Sequence, residues 1–172
     1  MQKGFEAISP KELENVISLI GDDWMLITAR DEAQDRVNAM TASWGCMGVL
    51  WKKPICVCFI RPQRHTFALA EQNNRLSFAF LDNAYRDALN LCGSRSGRDM
   101  DKLAAAGLHT FELDGVPVIE EAKLLLIGRK LYADDLKKES FLDPTLLSNY
   151  KNDDFHRVYV LEIQGAYRKR TE

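Results

Sequence analysis

The sequence predicts a mainly β fold, an antiparallel β-barrel with helical insertions, and three observations lead there. Six or seven segments read as strands, by alternation or by continuous apolar runs. The short helical stretches between them do not alternate regularly as βαβ units do. Neither a Walker A pattern nor G-x-G-x-x-G is present, so a Rossmann or P-loop reading has little support.

Taken in order, Ser9-Pro10-Lys11-Glu12 is a capping box with Pro at the first helical position and predicts a helix to about Ile20. Trp24 to Ala29 is apolar and β-rich. After the polar turn Arg30 to Arg36, a second strand is expected over Val37 to Met47, bent or bulged at Gly45 and Gly48. Lys52-Lys53-Pro54 turns into the central strand Ile55 to Ile60. The period then lengthens: Phe67, Leu69 and Ala70 fit a helix from about Arg64 to Gln72, ended by Asn73-Asn74.

Leu76 to Leu81 is a further strand. Helices follow at Tyr85 to Cys92, stopped by Gly93, and at Asp99 to Ala106, capped by Asp99 and stopped by Gly107. Asp114-Gly115 is a tight-turn signal between Thr110–Leu113 and Val116–Ile119. Ala122 to Tyr132 reads as a strand broken by Gly128. Asp143-Pro144 opens a short helix to about Tyr150, and Phe155 to Tyr167 closes the fold. No linker, repeat or low-complexity tract divides the chain, so one domain is expected over residues 1–172.

Length and composition narrow the function. A chain of 172 residues with 46% hydrophobic and 28% charged residues can bury a substantial core without staples. A formal charge of −2 provides no global field for nucleic acid or an anionic membrane, so an anion must be held locally. Met1 to Pro10 has no apolar run of the secretory kind, and the longest aliphatic block is Leu124 to Ile127; a cytoplasmic location is expected, with no membrane and no nucleic-acid partner. Cys46, Cys56, Cys58 and Cys92 are expected as buried free thiols, since a lone C-x-C without a second pair or nearby His makes a poor metal site. No metal is expected.

Two segments carry the chemistry. Asn38-Ala39-Met40-Thr41-Ala42-Ser43-Trp44-Gly45 puts small hydroxyl residues and an indole on one extended stretch, able to offer backbone and hydroxyl hydrogen bonds to a planar polar heterocycle. Strand alternation would place Thr41 and Ser43 on one side, Ala42 and Trp44 on the other; the same alternation also describes an exposed polar face. Arg61-Pro62-Gln63-Arg64-His65-Thr66 puts two guanidinium groups and a hydroxyl where a strand becomes a helix, a place that suits a phosphate. Two arginines at a helix start oppose the dipole unless an anion is present. Ring plus phosphate describes a nucleotide-like cofactor. The loop from Cys92 to Lys102 holds Ser94, Ser96 and Arg98; it is either a solvated loop or a second phosphate clamp or lid. His65 reads as a surface or capping residue, and His156 sits at the start of the last strand.

The order N-x-M-T-x-S-W-G, then R-P-x-R-x-T, with Ser96-Gly97-Arg98-Asp99-Met100-Asp101-Lys102 matching S-G-R-D-x-D-K, resembles the flavin reductase and flavoredoxin family from about Trp24 to Gly165. The final strand departs from it, reading Leu161-Glu162-Ile163 where the family often has G-E-I. The resemblance implies a Greek-key antiparallel FMN-binding split β-barrel and a homodimer. It further implies hydride transfer from NADH or NADPH to the flavin and onward electron release to an acceptor. It places the isoalloxazine edge along Asn38, Ala39, Met40, Thr41, Ala42, Ser43 and Trp44, and the phosphate at Arg61, Arg64 and Thr66, with Ser94, Ser96 and Arg98 nearby. His156 then lies near the flavin and the nicotinamide path, where it donates a hydrogen bond or admits a proton. The alternatives are a flavoredoxin-type electron-transfer protein and a non-redox FMN-binding module. Trp44, Met47, Val49 and Trp51 also put more apolar surface on one strand and turn than a small barrel hides, which again points to a dimer.

Overall fold

A computed structural model of the protein describes residues 4–170. The first three residues of the stretch read against a secretory signal lie outside the described residues. Within them the strands are β1 (Phe5–Ala7), β2 (Met25–Asp31), β3 (Arg36–Ala42), β4 (Gly45–Leu50), β5 (Lys53–Ile60), β6 (Arg75–Phe80), β7 (Thr110–Leu113), β8 (Val116–Ile119), β9 (Leu124–Asp135) and β10 (Arg157–Lys169). The α-helices are α1 (Val16–Ser18), α2 (His65–Gln72), α3 (Arg86–Ser94) and α4 (Lys102–Ala105).

The main sheet is antiparallel in the order β3-β2-β6-β9-β10-β5-β4, with β1 added to the far end of β10 and β7-β8 a separate hairpin. Met40 and Ala42 of β3 share one core with Cys56, Cys58 and Ile60 of β5, although the two strands lie near opposite ends of the sheet. Only a sheet curled into a barrel brings them together. β3 and β4 are its two terminal strands, yet only Ser43 and Trp44 separate them in the chain. That link spans the barrel where the ladder is open.

Burial on both faces explains why the strands read as near-continuous apolar runs. In β2, Met25, Ile27 and Ala29 face the barrel core, while Leu26 joins a second core. β9 does the same, with Leu124 and Leu126 inside and Leu125 and Ile127 outside. The second core is closed by α3, α4 and the β7-β8 hairpin through Leu89, Cys92, Leu103 and Val118. Thr28 and Ser77, both fully buried, donate to the carbonyl of Pro117 at 3.1 and 2.6 Å and fasten that hairpin to the sheet.

Several sequence expectations are corrected. The capping box forms, but it caps a 3₁₀ turn at Pro10–Glu12; Leu13 is extended and Asn15 left-handed, so the helix breaks there, and Ile20 lies in a separate helical stretch, α1 continued by a π-helical turn at Leu19–Asp23. The strand expected over Val37 to Met47 divides at Ser43-Trp44, and β1 adds a short strand no pattern announced, so the strands number more than six or seven. Gly128 does not break β9. It lets β10 approach, because a Cβ there would lie 2.9 Å from the Cβ of Leu161. Asp101, not Asp99, caps α4 through a 3.1 Å bond from the Ala104 N–H, and α3 runs past Gly93 to Ser94. Asp114 and Gly115 both take positive φ, the two-residue hairpin turn expected. Cys56, Cys58 and Cys92 are buried free thiols, but Cys46 is exposed on the edge strand β4. Among the described residues no helix is long and apolar enough to cross a membrane.

Candidate functional site

The opening between β3 and β4 is a cleft of about 210 Å³, lined by Met40 to Trp44 with Phe59, Arg61, Arg64 and His156. Among the described residues β3 pairs only with β2 and β4 only with β5, so the outer edges at the opening keep backbone groups outside the ladder. Such groups suit the edge of a polar heterocycle. The alternation expected of Thr41 to Trp44 does not hold, because β3 ends at Ala42 and the chain turns; all four residues line the same cleft. The Thr41 hydroxyl donates to the carbonyl of Leu89 at 2.5 Å and docks this segment on α3.

A second cleft, about 190 Å³, shares Arg64 with the first and is otherwise lined by Gln63, His65, Thr66, Ser94 to Gly97 and Lys102. The N-terminus of α2 opens into it, and no side chain caps that helix. Arg64 spends its guanidinium on the carbonyls of Gly93 (2.7 Å) and Cys92 (3.3 Å), at the end of α3. Burial lowers its pKa, with the neighbouring Cys92 opposing the shift. Lys102 is 4% exposed; its hydrogen bond goes to the Cys92 carbonyl at 3.0 Å, and it makes no ion pair among the described residues. Burial lowers its pKa to about 8, the Cys92 thiol opposing and Arg64 adding to the shift. Two cations, small hydroxyls and the uncapped positive end of a helix form the donor set of an anion site.

His156 closes the first cleft from the far side. It is 7% exposed, with its ring 5.1 Å from that of Trp44 and edge-on to Phe59 and Tyr150. Its Nδ1 lies 2.9 Å from the Tyr150 hydroxyl. Burial lowers its pKa to about 4; Arg61 adds to the shift and Asp154 opposes it. At neutral pH the imidazole is uncharged, so it can donate a hydrogen bond but is a poor store for a proton.

The remaining sequence candidates separate. Asn38 is buried and lines neither cleft, donating to Thr66 Oγ1 at 2.8 Å, and Ala39 is fully buried in the second core. Ser94 donates to Asn90 O at 2.8 Å, and the Ser96 hydroxyl accepts from Arg98 N at 3.2 Å. Arg98 reaches the carbonyl of Gln63 at 3.2 Å and stands outside both clefts. Arg61 faces the first cleft, away from the second, and pairs with Asp154. His65 is not a surface residue: its ring donates to buried Asp31 at 2.9 Å. Lys102, Phe59 and Tyr150 escaped the sequence reading. Lys102 was in view within S-G-R-D-x-D-K but carried no sign of its burial; the other two had no motif to mark them.

Together the clefts fit a flavin mononucleotide better than a flavin without phosphate. The first presents a strand edge and aromatic walls to a ring, and the second gathers buried positive charge beyond it.

Comparison with known proteins agrees with this geometry. Residues 18–132 match the family model described as flavin reductase like domain. A curated relative, the uncharacterized protein YddH of Escherichia coli (strain K12), is 30% identical over 115 residues, or 65% of this chain; the match spans 60% of the relative's length. Among solved structures, the FMN-binding domain of a flavin reductases-like enzyme from Shewanella baltica OS155 superposes with a TM-score of 0.71 at 18% identity, covering 98% of this chain and 79% of that one. Flavoredoxin of Desulfovibrio vulgaris (Miyazaki F) superposes with a TM-score of 0.65 at 17% identity, covering 83% and 67%. At these identities the likeness is one of fold, and it is the split barrel that the sequence predicts.

Proposed function

The chain belongs to the flavin reductase like domain family, and on that premise we propose that it is an FMN-dependent oxidoreductase drawing hydride from NADH or NADPH. The observation that carries the reading is Arg64, which lines both an aromatic-walled cleft and a cleft that holds buried Lys102. Bound there, FMN would supply the hydride-accepting and electron-releasing chemistry. The protein supplies position and electrostatics. Arg64, Lys102, Ser94, Ser96, Thr66 and the start of α2 hold the phosphate; Met40 to Trp44 meet the ring edge. His156, neutral beside Trp44, offers a hydrogen bond without adding charge. No side chain acts as nucleophile.

The working unit is a homodimer in the cytoplasm. β4 is an edge strand whose end and following turn expose Val49 (78%) and Trp51 (56%), with Leu50 between them. An apolar edge of this kind supports burial against a second copy.

Anaerobic spectra test the redox reading. NADH or NADPH should bleach bound FMN in a single turnover, with a Michaelis constant high in the usual range of about 1 μM to 1 mM, because no dinucleotide fingerprint is present. His156→Ala should slow bleaching more than it weakens FMN binding. That missing fingerprint favours a second reading, an electron carrier of the flavoredoxin kind. Reduction by dithionite but by neither nicotinamide at millimolar concentration would replace the first reading with the second.

A further inference from the structure

The two arginines of Arg61-Pro62-Gln63-Arg64 reach in different directions. Arg64 ties down the end of α3, whereas the side-chain hydrogen bonds and ring contact of Arg61 go to the connection between β9 and β10. Its Nη1 pairs with Asp154, its Nη2 donates to the carbonyl of Asn149 at 2.9 Å, and its guanidinium lies 5.2 Å from the centre of the Tyr150 ring. Gln63 adds a second donor to Asp154 at 2.6 Å. The same connection packs its own aromatic cluster, Phe155 stacking on Tyr150 at 4.7 Å with Phe141 against both. At the centre of this arrangement the Tyr150 hydroxyl meets His156 Nδ1.

We infer that Arg61 is a positioning residue of the ring cleft: it clamps the 136–156 connection so that Tyr150 holds the imidazole of His156 in one tautomer, and it binds no phosphate. Among the described residues the Tyr150 hydroxyl bonds only to His156. A phenol is donor and acceptor, so this one contact fixes the hydrogen-bonding role of Nδ1 and with it which ring nitrogen of His156 carries the proton. A planar fork suits this clamp because it engages a carboxylate and a carbonyl at once while its face covers Tyr150. The inference rests on the proposed function only for the place of His156 beside the cofactor.

The test uses ¹⁵N NMR of the histidine rings in flavin-free protein, with FMN and riboflavin titrations alongside. Wild-type protein should show His156 as a neutral ring in a single tautomer. Tyr150→Phe and Arg61→Ala should both shift that signal towards mixed tautomers, and Arg61→Lys should restore it in part by recovering the pair with Asp154. The ratio of FMN to riboflavin affinity in Arg61→Ala should stay within about twofold of wild type. If Arg61→Ala does not fold, Asp154→Asn opens the same clamp and is read identically. An unmoved His156 signal in the clamp variants overturns the inference, as does a loss of about tenfold or more in the FMN-to-riboflavin ratio. A protein that binds neither flavin would overturn the proposed function, while the ring signals would still decide the clamp.

Discussion

Arg64 donates to the carbonyl of Gly93 at 2.7 Å, so one side chain joins the start of α2 to the end of α3. With Lys102 on the carbonyl of Cys92, two cations gather at the negative end of α3 beside the positive end of α2. The apparent misfit of arginines at a helix start is therefore answered within the protein for Arg64 by α3, and for Arg61 by Asp154. An anion is favoured at this junction without being required to hold it together.

Arg64→Ala should weaken FMN about tenfold or more while leaving riboflavin affinity nearly unchanged, since a charge-assisted hydrogen bond contributes roughly 1.5–3 kcal/mol. Urea unfolding of the flavin-free variant should show a loss of about 1–3 kcal/mol, because the Gly93 carbonyl loses its side-chain donor and the Cys92 carbonyl keeps only Lys102. Fluorescence titration with both flavins checks the first part. An equal loss for both would place the phosphate elsewhere.

FMN affinity should fall as pH rises above about 8, the pKa to which burial lowers Lys102. The sign follows from linkage: a bound phosphate favours the ammonium and raises its pKa. Below about 8 the free protein is already charged; above it, binding must recruit a proton, at a cost approaching tenfold in affinity per pH unit. Riboflavin should lack this dependence, and Lys102→Met should abolish it. Titrations from pH 7 to 9.5 provide the measurement.

Acid should destabilise the protein partly through His156. Its folded pKa of about 4 lies below the unfolded value of 6.5, so the unfolded chain takes up the proton first. Stability is lost as pH falls from about 6.5 towards 4 and then levels off, by at most about 3 kcal/mol. His156→Gln should remove this part of the acid slope in urea unfolding. An unchanged slope would show that the imidazole does not remain neutral in the fold.

Trp51→Glu should leave the protein monomeric at micromolar concentration in sedimentation if the proposed dimer forms through this face, because it places a charge in the exposed apolar turn that follows β4. Wild-type protein that sediments as a monomer with flavin bound would refute the dimer.

Gly97→Ala should weaken FMN and lower stability by roughly 1–3 kcal/mol through overpacking. A Cβ at Gly97 would overlap Asn38 Oδ1 and lie 2.9 Å from its Cγ, forcing the Ser94–Gly97 wall away from the Asn38–Thr66 pair. Thermal melts with and without FMN separate the two effects.

Much of the frame was legible in the chain because local rules govern it. Burial on both faces wrote the apolar runs of β2 and β9, and the Asp114-Gly115 turn needs positive φ at both positions. The N-x-M-T-x-S-W and R-P-x-R-x-T segments, read against the family, marked the walls of both clefts. Tertiary structure decided what separates neighbouring side chains of the same type. Arg61 and Arg64 are alike in sequence, but the ends of β5 and α2 aim one at Asp154 and the other at Gly93. Lys102 looks like any loop lysine until α3 and α4 bury it, and His156 like any strand-end histidine until Tyr150 and Trp44 enclose it. Burial and pairing set charge, and both depend on residues far apart in the chain, so a local pattern carries neither.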